Sequence, residues 1–279
     1  MKFSLDAPAK INWFLQITGK RSDGYHDIVS AMQCVSLEDN ISFEDAPEIE
    51  LVSDLDLPVA ENLVYKAAAL LKRRVSYRRG ARIVLRKNIP HAAGLGGGSS
   101  DAAHTLVGLD RLWGLNLGED VLMGLGSEIG SDVPFFIGGS PLSVVEGRGE
   151  RVRRLKAHDP LWLLLVKPGI AIPTAWAYGA YKAELTKKSV DIKLFCHALD
   201  RKDFASLQHI IGNDLEKGVF EKYGVVAEIK RALVDNGAVF ASMSGSGSAV
   251  FGVFPSGKEA AAASEHMGKY WCRVVRTLV

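Results

Sequence analysis

The stretch that most constrains this chain runs from Pro90 to Ala103 and reads Pro-His-Ala-Ala-Gly-Leu-Gly-Gly-Gly-Ser-Ser-Asp-Ala-Ala. Four of the five residues from Gly94 to Gly98 are glycine. A backbone without Cβ atoms can turn tightly there and approach a ligand closely. The stretch follows an apolar run, Ala81 to Leu85, and precedes a helical pattern. A helix starting at Ser99 or Ser100 and reaching Trp113 is expected, with Ala102, Ala103, Leu106, Leu109 and Leu112 at core spacing. Its first turn would aim unpaired N–H groups, the positive end of its dipole and the serine hydroxyls at one point. That geometry suits a phosphate, although a plain strand-to-helix turn would read the same way.

Two better-known phosphate motifs fail. The dinucleotide fingerprint GxGxxG matches at Gly94 and Gly96 and then meets Ser99, and no Lys follows the last glycine as a Walker A loop requires. Gly252 to Lys258 satisfies GxxxxGK, but Glu259 stands where a hydroxyl is needed and Pro255 interrupts the run.

Charge and cysteine content narrow the class. Across 279 residues, 34 basic and 32 acidic side chains leave a net charge of +2, which argues against a nucleic-acid surface. Lys72 to Arg79 holds five basic residues in eight, read as a helix end and solvated turn. Cysteines at 34, 196 and 272 form neither a disulfide framework nor zinc-ligand spacing, in keeping with a reducing cytoplasm. Neither a signal-type apolar segment near Met1 nor a run long enough to span a bilayer is visible. With 47% apolar residues, the chain can build a sizeable core.

Several polar residues stand out against this apolar background. From Lys10 to Ile17 the pattern alternates, with Ile11, Trp13, Leu15 and Ile17 on one face and Lys10, Asn12, Phe14 and Gln16 on the other. Lys10 is either a solvated edge-strand lysine or a buried one needing a partner. The polar turn Gly19–Asp27 carries Tyr25 and His26, which either cap a hairpin or face a ligand. Strands are expected over Ile28–Leu37 and, interrupted at Asp45–Pro47, over Ile41–Val52, and a helix over Glu61–Arg74. Asp101, in the first turn after the glycines, should point aside or meet a cation, since it would repel a phosphate. Asp132, between Gly130 and the run Pro134-Phe135-Phe136, either caps a helix or is a partly dehydrated carboxylate answered by a cation such as Lys10.

The polar segment Lys156–Pro160 is the expected domain boundary, dividing the chain into 1–157 and 158–279. Beyond it, a strand at Leu161–Val166, a helix opened by Pro173 and Thr174, and helices at Asp203–Leu215 and Val225–Asn236 are expected. Two strands then flank the turn Ser244–Ser248, and a helix and a last strand at Arg273–Val279 follow. This order implies an α+β sandwich.

Taken together, Pro-Ala-Lys-Ile-Asn at Pro8–Asn12, Gly-Tyr-His at Gly24–His26, the glycine stretch at Gly94–Ala103 and Asp-Val-Pro-Phe-Phe at Asp132–Phe136 resemble the GHMP kinase superfamily. The resemblance spans nearly the whole chain and implies an N-terminal α/β domain of ribosomal-protein-S5 domain-2-like type and a C-terminal ferredoxin-like domain, with the active site between them. It implies an ATP- and Mg²⁺-dependent kinase, here for a cytidine diphosphate sugar alcohol of the non-mevalonate isoprenoid route. Mevalonate, homoserine or another small alcohol is the alternative acceptor, and a non-catalytic nucleotide-binding module the alternative class.

By the same resemblance, Pro90, His91, Ala92, Ala93, Gly94, Leu95, Gly96, Gly97, Gly98, Ser99, Ser100 and Asp101 hold the ATP phosphates, with Asn62 and Lys87 near the adenine. Asn12, Tyr25, His26, Thr174 and Tyr178 bind the substrate. Asp132 is the expected base and Lys10 its charge partner. Two departures stand out: His91-Ala92-Ala93 replaces the glycines or Met of many relatives, and Met32 or a neighbour falls where an aromatic often faces the cytosine. Ser99, Asp101 and Asp132 are candidate metal oxygens, none certain. The expected partners are small molecules only, for a monomer or weak homodimer.

Overall fold

Two long strands, β1 (Lys2–Lys20) and β2 (His26–Ala46), form an antiparallel hairpin on which the first half of the chain is built. The computed structural model describes residues 2–156, 158–182 and 189–279. β3 (Glu50–Ser53), α1 (Leu63–Arg74), β4 (Gly80–Arg86), α2 (Gly97–Trp113), α3 (Glu119–Ile129), α4 (Val133–Ile137), β5 (Leu142–Gly147) and β6 (Arg151–Arg154) follow. The spine of the first sheet runs β3-β4-β2-β1, with β5 and β6 extending it from the other half of β2.

β2 joins two stretches expected as separate strands, because its partner changes along its length. Asn40 to Ala46 pair with β4, whereas Ile28 to Gln33 pair with β5. Register shifts in the hairpin, including one between Asn12 and Phe14, let one ladder bend to serve both partners. That shift also breaks the expected alternation. Trp13 is the unpaired extra residue, so Trp13 and Phe14 both enter one core, where each meets Phe195, at ring-centroid distances of 6.5 and 5.3 Å.

α1 and α2 pack on this sheet through Leu71, Ala103 and Leu106, and Gly108 admits the Phe43 ring, whose Cζ would lie 2.4 Å from a Cβ there. The basic segment spanning the end of α1 and the turn after it is paired at the surface: Lys72 with Glu48, Arg74 with Glu128 and Arg79 with Asp45.

The second half continues with β7 (Trp162–Lys167), α5 (Thr174–Gly179), α6 (Ile192–Asp200), α7 (Phe204–Ile210), β8 (Gly212–Asn213), α8 (Glu216–Lys222), α9 (Gly224–Asp235), β9 (Phe240–Met243), β10 (Val250–Phe254), α10 (Gly257–Glu265) and β11 (Trp271–Arg276). Its antiparallel sheet has the order β11-β7-β10-β9, the split-βαβ arrangement of a ferredoxin-like domain. The helix expected over Asp203–Leu215 stops at Ile210, because Gly212 and Asn213 instead pair in parallel with Phe14 and Leu15 of β1. The last strand ends at Arg276, and Thr277 bridges to Val35. The segment resembling a Walker loop is occupied by β10 and the Ser256 cap of α10.

The expected boundary at 157/158 falls on Ala157, which lies outside the described residues. On either side of it the halves share a core: Ala9, Trp13, Phe14 and Leu95 pack with Leu163, Leu165, Phe195 and Phe251. No helix among the described residues is long and apolar enough to cross a membrane.

Candidate active site

The glycine stretch leaves β4 and turns into α2, whose helix starts at Gly97, two or three residues before the expected Ser99 or Ser100. Gly96, at φ +70°, is the cap, and Gly97 is the first helical residue. The left-handed turn at Gly96 sets the start, and glycine alone fits it, since a Cβ there would lie 2.9 Å from Lys10 Cγ. Ser99 is thereby in the first turn facing the cleft. Ser100 is buried, with its hydroxyl 3.5 Å from His104 Nδ1, and does not line the cleft.

The loop is held from both sides. Lys10 N–H donates to Leu95 O at 2.9 Å, Ala249 N–H to Ala93 O at 3.0 Å, and Ser244 Oγ to Gly94 O at 3.0 Å. The second glycine turn, Ser244–Ser248, therefore braces the first. A Cβ on Gly94 would collide with Ser244 O at 2.1 Å, so the two turns touch backbone to backbone.

Beside this contact Lys10 is 3% exposed, on an interior strand rather than an edge. Its Nζ donates to Asn12 Oδ1 at 2.6 Å and lies 3.4 Å from Asp132 Oδ2. Asn12 is oriented in turn, its Nδ2 donating to Ser30 Oγ at 2.8 Å. Asp132 stands at the cap position of α4, a short helix formed by the Pro-Phe-Phe run, and keeps 29% side-chain exposure. Asp132 is thus open to the cleft while Lys10 is buried.

Asp101 meets the cation its position demands: Lys87 Nζ donates to its Oδ2 at 2.6 Å and also to Asp39. Burial pushes the Asp101 carboxyl up to about 7 against the pull of Lys87, with Asp39 adding to the rise. Lys87, expected near an adenine, is thus bound between two carboxylates beneath the start of α2. Asn62 is the cap of α1, its Oδ1 accepting from Val64 N–H at 2.9 Å.

At the other end, the His26 ring stacks on Tyr178 at 5.5 Å and 27°, and meets Tyr181 edge-on. Tyr25 is 54% exposed, with the Arg148 guanidinium over its ring at 5.1 Å. Thr174 Oγ1 is 3.0 Å from Ser246 Oγ. Burial, and then the Asp132 charge, push the Tyr178 hydroxyl far up, so it stays neutral.

One cleft of about 910 Å³ joins these groups, lined by every expected site residue except Ser100, and by Met32. Sequence reasoning missed Lys20, Arg148 and the turn Gly245–Gly247, which also line it. The available signals were an arginine flanked by Gly147 and Gly149 and a second Ser-Gly repeat. Such a cleft can hold a polyphosphate against the glycine turn and a flat ring at the tyrosine end, with a carboxylate and an ammonium between.

The model of the GHMP kinases N terminal domain matches residues 62–140, and that of the GHMP kinases C terminal domain matches residues 195–271. This chain belongs to the GHMP kinase family of ATP-dependent small-molecule kinases. It is 45% identical to the 4-diphosphocytidyl-2-C-methyl-D-erythritol kinase of Thermodesulfovibrio yellowstonii, over 97% of this chain and 96% of that one. With the enzyme of the same name from Acetivibrio thermocellus it shares 39% identity over 99% of both chains. A crystal structure of 4-(cytidine 5'-diphospho)-2C-methyl-D-erythritol kinase superposes with a TM-score of 0.87 at 32% identity, covering 99% of each chain. Homoserine kinase from Cytophaga hutchinsonii, at 16% identity and TM-score 0.75, shares the fold over 100% of this chain and 95% of its own.

Proposed function

We propose that this chain transfers the γ-phosphoryl group of ATP to the 2-hydroxyl of 4-diphosphocytidyl-2-C-methyl-D-erythritol, a step toward isoprenoid precursors. The observation that carries this reading is the Lys10–Asp132 pair, 3.4 Å apart and beside the glycine turn. Phosphoryl transfer leaves little covalent chemistry to the protein, so alignment and charge stabilisation dominate. Asp132 accepts the hydroxyl proton as the oxygen attacks the γ-phosphorus, and ADP departs. Lys10 stabilises the alkoxide that develops, while Asn12 fixes Lys10 and the acceptor hydroxyl.

The first turn of α2 supports a phosphate site, with N–H groups and the dipole aimed into the cleft. Tyr25, His26 and Tyr178 accord with a cytosine, which needs flat faces, and Thr174 with the polar chain attached to it. Magnesium riding on nucleotide phosphates takes most of its ligands from phosphate and water and needs one or two protein oxygens. The Ser99 hydroxyl, which lines the cleft from the first turn of α2, fits that need, and no cluster of three or more metal-binding side chains occurs among the described residues. Such an ion, when bound, neutralises charge on the phosphates. A cytoplasmic setting accords with this chemistry.

The test is ADP release with ATP and Mg²⁺ across the cytidyl-erythritol substrate, mevalonate and homoserine. Turnover of the first alone is expected. Preference for another alcohol overturns the substrate assignment, and ATP binding without turnover of any alcohol overturns the catalytic one.

A further inference from the structure

Where β4 ends at Arg86, three successive backbone N–H groups leave the sheet before Pro90, which has none. All three are taken by aspartates. Lys87 N–H lies 3.2 Å from Oδ1 of exposed Asp54, while Asn88 and Ile89 N–H both donate to Asp39 Oδ1, at 2.6 and 2.8 Å. Asp39 is 0% exposed, and its other oxygen accepts from Lys87 Nζ. That same ammonium reaches Asp101 Oδ2 at 2.6 Å, in the first turns of α2. Ile89 completes the contact, since its Cγ2 would lie 2.9 Å from a Cβ on Gly97.

Asp39 thus grips the chain just before the phosphate loop and, through Lys87, the helix just after it. Buried charge clusters of this kind add little net stability, because desolvation offsets their attraction. What they do supply is geometry: a carboxylate with both oxygens committed admits one arrangement of its partners. Two carboxylates facing one ammonium also leave Asp101 Oδ1 buried without a partner, a cost that packing alone does not explain.

We infer that Asp39 is a positioning residue for the nucleotide: by clasping Asn88–Ile89 and Lys87 it sets the spacing between the two ends of the phosphate loop. Asp39 itself is buried and does not line the cleft. The inference rests on the reading of Pro90–Asp101 as the ATP phosphate site.

The experiment compares Asp39→Ala and Asp39→Asn with the wild type, measuring KM for ATP, KM for the alcohol and kcat in the intact chain. A misplacement of about 1 Å at such a site costs up to ~10²-fold. Asp39→Ala is therefore expected to raise KM for ATP about tenfold or more, with KM for the alcohol unchanged. Asp39→Asn keeps an oxygen for the two N–H groups and loses the charge on Lys87, so a smaller rise in the same constant is expected. Should Asp39→Ala not fold, Asp39→Asn decides. An unchanged KM for ATP in a folded variant overturns the inference, as does a matching rise in both KM values, which marks general loosening. A wild type that does not use ATP at all instead overturns the functional reading, so the two failures are distinct.

Discussion

Lys10 Nζ lies 3.4 Å from Asp132 Oδ2, and the pair is asymmetric: the lysine side chain is 4% exposed and the aspartate 29%. The ammonium donates to Asn12 and the lysine stem packs against Gly96, whereas the carboxylate opens to the cleft. In the proposed reaction a proton taken up at Asp132 leaves through that opening, while Lys10 stays buried beside the carboxylate.

The pair should fail as a unit. Asp132→Asn removes the proposed base and is expected to lower kcat by about 10²–10⁴. Lys10→Met removes a preorganised cation, at about 10²–10³. The double variant should fall well short of the product of the two losses, because neither group acts alone. Single-turnover ADP formation checks this, and fully multiplicative losses would separate the roles.

Gly96 couples loop shape to that pair. Gly96→Ala places a Cβ at 2.9 Å from Lys10 Cγ, on a residue at φ +70°. The left-handed strain costs about 1–3 kcal/mol, and displacing Lys10 should reduce kcat up to ~10²-fold. Denaturant unfolding and turnover, measured on the same sample, should both shift. A change in stability with kcat intact would free Lys10 from the loop.

The glycine stretch and the motifs at Lys10, Tyr25 and Asp132 were legible because each is a local departure from the apolar pattern. The bulge at Trp13 was not, since one unpaired residue leaves alternation looking intact while it turns two aromatics into one core. Nor was β8, whose two residues pair with β1 for reasons that lie in the packing of distant chain. The partners of Lys87 were hidden likewise. Asp39 and Asp101 are 62 positions apart in the chain, and only the β2–β4 register together with the placement of α2 brings them to one ammonium.

Asp101 should make stability fall as pH rises. Its carboxyl ordinarily ionises near 3.8, and in the fold it is pushed up to about 7, so the folded state holds the proton more tightly than the unfolded chain. The folded state is therefore favoured most below about pH 4, and that advantage is lost progressively up to about pH 7. Asp101→Asn, which resembles the neutral form, lacks this term. Between pH 5 and 8 the wild-type Tm is expected to drop relative to that of the variant, and parallel curves would show that Asp101 does not titrate there.

On the proposed reading, Tyr178 allows recognition of the base to be tested apart from catalysis. Its ring stacks with His26 at 5.5 Å, and its hydroxyl is kept neutral by burial. Stacking of a base on an aromatic ring contributes about 1–3 kcal/mol, so Tyr178→Ala should raise KM for the cytidyl substrate by roughly 5- to 150-fold. Tyr178→Phe keeps the flat face and the His26 stack, and its KM should stay within about threefold of the wild type. KM for ATP should not move in either variant, because the phosphate loop makes its contacts through β1 and the Ser244–Ser248 turn. If Tyr178→Phe lost as much as Tyr178→Ala, the hydroxyl rather than the ring face would be the binding group, and a stacked cytosine would no longer explain the pocket.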